Sequence, residues 1–150
     1  MHTLATIGYE AATVRSFLNA LEDAGIQLLV DVRAVAMSRR PGFAKTALTA
    51  NLESVGIDYL HLRALGTPAE GRAAARAGRH AEMHEIFREQ LATPEAQDAL
   101  GTLGDLVRAR RVAILCFEAD PTHCHRLLVA QALADRMPIE IEHLRPSIDD

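Results

Sequence analysis

Residues 3–7, TLATI, form a short apolar run that stops at Gly8, and VRSFLNALEDAG follows with Val14, Phe17, Leu18 and Leu21 at helical spacing before Gly25. That order predicts a strand, a loop and a helix. IQLLVDVR is near-continuously apolar over about residues 27–32, as strands of a parallel sheet buried on both faces are, and it ends in the polar Asp31 and Arg33. Beyond the SRRPGF loop, Leu48, Leu52 and Val55 mark a helix closing at Gly56, and IDYLHL supplies a third strand with His61 near its end. The first part of the chain therefore reads β-α-β-α-β.

The middle changes character. GTPAEGRAAARAGRHAEMHEIFREQLA is rich in Ala and Arg, and only its second half, with Met83, Ile86, Phe87 and Gln90, has a helical stripe. Residues 68–79 read as a mobile or lid-like segment. Thr93 then offers an N-cap, Pro94 stands at the first helical position, and Leu100, Leu103 and Val107 share a face. VAILCF is the fourth strand, DPTHCHRLLVAQALADRM is expected to open a helix at Pro121 behind an Asp120 N-cap, and IEIEHL alternates like an edge strand.

Strands alternating with helices predict one α/β domain over residues 1–150, a three-layer sandwich around an open, mainly parallel sheet of about five strands. Ligands of such sheets bind at the carboxyl ends of the strands, where the winding reverses. That rule selects Gly8, Tyr9 and Glu10 after the first strand, Asp31 and Arg33 with Ser38 and Arg39 after the second, His61 after the third, and Cys116 and Glu118 after the fourth.

Composition narrows the classes. A chain of 150 residues with 49% hydrophobic and 24% charged residues is ordinary globular material. No apolar run approaches the roughly 18 residues needed to cross a bilayer, so a soluble protein without a membrane partner is expected. MHTLATIGYE has no basic segment followed by an apolar stretch, and two cysteines eight positions apart do not suggest an extracellular disulfide framework, so a cytoplasmic location is expected. A net charge of −4 argues against broad nucleic-acid affinity. The positive charge is nevertheless clustered in RAVAMSRR, EGRAAARAGRH and RARR, which leaves a local basic site open beside solvated faces.

The densest chemistry is CFEADPTHCHR at 116–126, which holds both cysteines of the chain. A helix from Pro121 would place Val129, Ala130, Leu133, Ala134 and Met137 on the sheet-facing side, with Leu127 at its margin and Arg126 in the middle of that face. An arginine near a helix N-terminus needs a negative partner. Either Arg126 pairs internally with Asp31 or Glu118, or Arg126, Arg33 and Arg39 together receive a phosphate or carboxylate, with Ser38 and His125 beside it. Cys116 is a small buried hydrophobe or a group at the ligand. Cys124, in the first turn of a helix, is a candidate nucleophile. Glu118 and Asp31 could move protons if they converge. Zinc held by Cys116, Cys124 and one or two of His123, His125 and His61 is disfavoured, because adjacent helical residues point about 100° apart and Cys124 and His125 could not easily share an ion. The sequence names no cofactor.

TIGYE at 6–10, DVRAVAMSRRPGF at 31–43, GIDYLHLRALG at 56–66, TPEAQDALGTL at 93–103 and CFEADPTHCHR at 116–126 occur in one order. With these stretches the chain resembles the DUF488 family of bacterial and archaeal proteins over nearly its whole length. The resemblance marks Gly8, Asp31, Arg33, Ser38, Arg39, Phe43, Tyr59, Leu65, Gly66, Cys116, Glu118, Pro121, Cys124, His125 and Arg126. The family usually has His and Ser where this chain has Tyr9 and Glu10, and Pro where it has Ala36, which implies an altered acid or base at position 9 or 10. Some relatives have a DNA-repair label. DVR followed by a strand-end cysteine is also similar to rhodanese, a sulfur-transfer domain, although the rhodanese loop usually offers a glycine- and serine-rich anion cradle.

The expectation from sequence is a polar, anion-binding pocket at the strand ends, with hydrolysis or group transfer on a phosphorylated small molecule or nucleotide as the reaction. The alternatives are a non-catalytic small-molecule or nucleic-acid-binding module and rhodanese-like sulfur transfer.

Overall fold

Apolar runs too short for helices meet their hydrogen-bonding needs only by pairing side by side, and the chain does this with five of them. The computed structural model describes residues 1–147. Its strands are β1 (His2–Gly8), β2 (Leu28–Asp31), β3 (Asp58–His61), β4 (Val112–Cys116) and β5 (Ile139–His143). Its α-helices are α1 (Val14–Asp23), α2 (Lys45–Glu53), α3 (Ala69–Arg76), α4 (His80–Leu91), α5 (Pro94–Ala109) and α6 (Arg126–Arg136). All strand pairs are parallel, in the order β3-β2-β4-β1-β5. The fold is the open α/β three-layer sandwich that the alternation of elements predicts.

Burial follows strand position. The inner strands β2 and β4 are buried along their whole length, whereas β5 alternates half-buried and exposed residues as an edge strand does. One face of the sheet packs Ala5, Ile7, Leu29, Ala113 and Leu115 against Phe17 and Leu21 of α1 and Leu48 and Leu52 of α2. The other packs Leu4, Val30, Val112 and Ile114 against Leu100 and Leu103 of α5 and Val129 and Leu133 of α6. Thr13 caps α1 in a reciprocal pair with Ser16, and Thr93 caps α5 ahead of Pro94. Gly25, at φ 70°, ends the first helix in the left-handed region that a side chain disfavours. Among the described residues no helix is long and apolar enough to cross a membrane.

Two expectations are corrected. Residues 69–76 are a regular helix, held by Gly71 and Ala74, which face inward and are small enough for close packing. The Asp120–Pro121 start makes only a 3-10 turn, Pro121–His123, and α6 begins at Arg126 after extended backbone at Cys124. The helical frame shifts accordingly: Leu128 is buried and Ala134 exposed.

Because β4 lies between β2 and β1, the direction of winding reverses after β3, and the carboxyl ends of these three strands are left open at one edge. Register puts Gly8 opposite Cys116 and Asp31 opposite Leu115. A Cβ on Gly8 would run into the carbonyl of Glu118 and lie 2.7 Å from Arg126 Nη1. Gly8→Ala is therefore expected to destabilise the protein by about 1–3 kcal/mol through forced displacement of the loop after β4. A urea midpoint equal to that of the native chain would show that this loop yields freely.

Candidate functional site

A cavity of about 570 Å³ opens at the carboxyl edge of β1, β2 and β4. Its floor contains Tyr9, Arg33, Cys116 and His125; Ser38 and Arg39 come from the loop after β2; Arg72 and Arg76 come from α3, and Met83 from α4. Val35, Met37 and Phe117 make an apolar lip, each exposed to solvent. Glu118 is the single carboxylate of the lining among the described residues.

The charges on the floor are largely committed to the protein. Asp31 is fully buried, and its Oδ1 accepts from Arg33 Nε at 2.9 Å and from the Arg33 amide at 3.0 Å. Its Oδ2 accepts from Arg33 Nη2 at 2.7 Å and from the Tyr59 hydroxyl at 2.6 Å. Arg33 Nη1 donates to Phe43 O at 2.7 Å and to the Tyr9 hydroxyl at 3.1 Å. Burial works against the guanidinium charge, yet the bonds and field of Asp31 hold the Arg33 pKa above its ordinary value. Burial, followed by the bond to Asp31, pushes the Tyr59 hydroxyl up as well. His61 Nε2 lies 2.6 Å from Arg33 O, and its side chain lines the strand end rather than the cavity.

Arg126 is fully buried and has no ion-pair partner among the described residues. The negative partner expected of it is supplied by carbonyl dipoles. Nε donates to Thr6 Oγ1 at 3.1 Å, Nη2 to Ala119 O at 3.1 Å, and Nη1 to Glu118 O. Burial pushes its pKa down to about 10. Asp31 pairs with Arg33, not with Arg126. Gly8 and Arg126 lie behind the cavity floor rather than in its lining.

Glu118 is partly buried, and burial raises its carboxyl pKa although Arg126 opposes the shift. Its Oε2 lies 3.7 Å from Cys116 Sγ. Cys116 and Cys124 are paired as a disulfide; Cys124 is also fully buried and stands in extended backbone after the 3-10 turn, not in a helical turn. His125 Nε2 lies 2.7 Å from Val32 O, a bond in which the ring nitrogen must donate. Burial pushes this imidazole down to about 4, so it is neutral near pH 7, with its lone pair on Nδ1. Nδ1 lies 3.8 Å from Cys124 Sγ. The extended backbone at Cys124, φ −124° and ψ 149°, removes the helical divergence expected between residues 124 and 125. Cys116, Cys124 and His125 thus place potential ligand atoms within 4.8 Å of one another.

The structure brings Tyr9, Arg33, Ser38, Arg39, Cys116, Glu118 and His125 to one cavity and leaves Gly8, Asp31, His61, Cys124 and Arg126 outside its lining. Sequence reasoning did not assign Arg72, Arg76 and Met37 to the site. The i,i+4 spacing of Arg72 and Arg76 in RAAAR was the available signal, because it puts both on one helical face.

The family model described as domain of unknown function DUF488 matches residues 13–133. The chain belongs to the DUF488 family. No curated protein and no solved structure matches it. The DUF488 match begins at Thr13, so Tyr9 and Glu10 precede it, while β2, the basic loop and α3, β4 and the CFEADPTHCHR stretch lie within it.

Asp31→Asn leaves Arg33 buried with a weakened partner and is expected to cost about 3–5 kcal/mol in urea denaturation. Asp31→Asn combined with Arg33→Met should recover part of that loss. Equal stability of the single variant and the native chain would remove the ion pair from the account of the fold.

Proposed function

We propose that the cavity binds a small molecule with an anionic group and an apolar part, and that the protein is a hydrolase or group-transfer enzyme acting on a phosphorylated metabolite or nucleotide. The supporting observation is the charge at the mouth. Arg39, Arg72 and Arg76 approach a cavity whose lining holds one carboxylate among the described residues, in a chain of net charge −4. Arg72 uses Nη1 on Thr67 O at 2.9 Å and keeps its other donors, and none of the three forms an ion pair among the described residues. Guanidinium forks bind phosphate and carboxylate oxygens in pairs. The lip of Val35, Met37 and Phe117 favours an occupant with an apolar portion.

Glu118 is the group for proton transfer in this reading, since a raised carboxyl pKa brings the acid form toward working pH. A non-catalytic binding module is the second reading. The commitment of Asp31, Arg33 and Arg126 to internal bonds favours it, because it leaves one carboxylate rather than a pair to do chemistry.

Thermal unfolding with inorganic phosphate, sugar phosphates and nucleotides is the test. One ligand class should stabilise the protein, by about 2.7 kcal/mol at a hundredfold excess over Kd. The shift should vanish in Arg39→Ala/Arg72→Ala, while Glu118→Gln should abolish turnover and keep the shift. No stabilisation by any anion, or a shift indifferent to both arginines, would overturn the anion pocket. Binding without turnover would select the non-catalytic module.

A further inference from the structure

The Cys116, Cys124 and His125 cluster is built from two places that the fold holds together. Cys116 ends the central strand β4, and Cys124 and His125 end the loop that leads into α6. All three residues are buried. The Cα atoms of the two cysteines stand 7.1 Å apart, wider than the span of about 4.4–6.8 Å usual for a disulfide. Two thiolates facing one ion need such extra width, because each sulfur lies about 2.3 Å from the metal. The 3.8 Å between Cys124 Sγ and His125 Nδ1 is close to the separation of two ligands on a tetrahedral ion.

The surroundings of the cluster favour the same occupant. The Nε2 of His125 donates to Val32 O, which fixes the ring and aims the Nδ1 lone pair at the sulfurs; metal-binding histidines are usually oriented by such a second bond. Arg126 Nη1 lies 3.7 Å from Cys116 Sγ, so a positive group faces the sulfur. A divalent ion with two thiolates and a neutral imidazole has no net charge, which suits a buried position.

We propose that Cys116, Cys124 and His125, with the two cysteines reduced, form a three-ligand site for a thiolate-seeking divalent ion such as zinc, whose fourth position faces the cavity. Cys116 and His125 line that cavity and Cys124 does not, so the ion is approached from the ligand side. Glu118, with Oε2 3.7 Å from Cys116 Sγ, stands beside the opening. Three protein ligands with an open position characterise catalytic rather than structural zinc. The ion would polarise an oxygen of the bound molecule or lower the pKa of a water.

The disulfide and the ion exclude each other. In the assay, a phosphine opens the disulfide: one phosphine and one water give phosphine oxide and two thiols. The incoming ion then displaces the two thiol protons.

Cobalt is the direct probe. The protein is reduced with the phosphine, freed of it without air, and titrated with Co²⁺. One equivalent should produce a thiolate-to-cobalt charge-transfer band and the strong visible bands of a tetrahedral ion, and zinc should displace both. The chain has two cysteines in all, so a thiolate band can arise only from Cys116 and Cys124, whether or not variants fold. His125→Asn should weaken zinc about tenfold or more, and protein kept oxidised should give no band. Absence of the thiolate band in reduced, folded protein would overturn the proposal, as would equal zinc binding by oxidised protein. The inference does not depend on the anion reading, because the cobalt spectrum needs no anion and the thermal shift with phosphates can be read on oxidised, metal-free protein.

Discussion

The guanidinium of Arg126 ties together the parts of the protein on which the site rests. It reaches Thr6 in β1 and the carbonyls of Glu118 and Ala119 in the loop after β4. One residue at the start of α6 thereby fixes a helix, a strand and the loop after Cys116 that holds Glu118, Cys124 and His125. Bonds from a charged donor are worth about 1.5–3 kcal/mol each, which offsets the desolvation of a side chain with no exposed surface. Gly8 takes part through its lack of a side chain, which lets the Glu118 carbonyl approach β1.

The division of labour among the arginines follows from burial. Arg33 and Arg126 are deep enough that water cannot satisfy their donors, so the protein does so, with Asp31, Tyr9 and Phe43 for one and Thr6, Glu118 and Ala119 for the other. Arg39 and Arg76 are exposed and keep their donors free of protein ion pairs among the described residues. The same residue type is therefore scaffold at depth and available for a ligand at the rim. Sequence shows the residue type but not the depth, which is why Arg126 read equally well as an ion-pair partner and as an anion receiver.

Much of the fold was legible because the local signals agree with the global arrangement. A near-continuous apolar run announced β2 as a buried strand, VAILCF announced β4, the alternation in IEIEH announced an edge, and Thr93-Pro94 announced the start of α5. The signals failed where tertiary contacts decide. Ala69–Arg76 lacks a stripe of large apolar residues, yet it becomes a helix because Gly71 is small enough to rest on Thr67 and Ile86 and because Ala74 is buried. Asp120-Pro121 is a good N-cap pair, yet it opens only a 3-10 turn.

That misread turn changes the chemistry available to the chain. A continuous helix from Pro121 would have sent Cys124 and His125 in different directions and given Cys124 a helix N-terminus to lower its thiol pKa. Extended backbone at Cys124 instead folds its sulfur under the loop toward Cys116, and His125, bonded to Val32, turns its free nitrogen the same way. The result is a convergent sulfur–sulfur–nitrogen cluster rather than a lone nucleophile. Cys124 in extended backbone and His125 in helical backbone converge here because separate partners hold them, Cys116 at the end of β4 for one and the carbonyl of Val32 after β2 for the other.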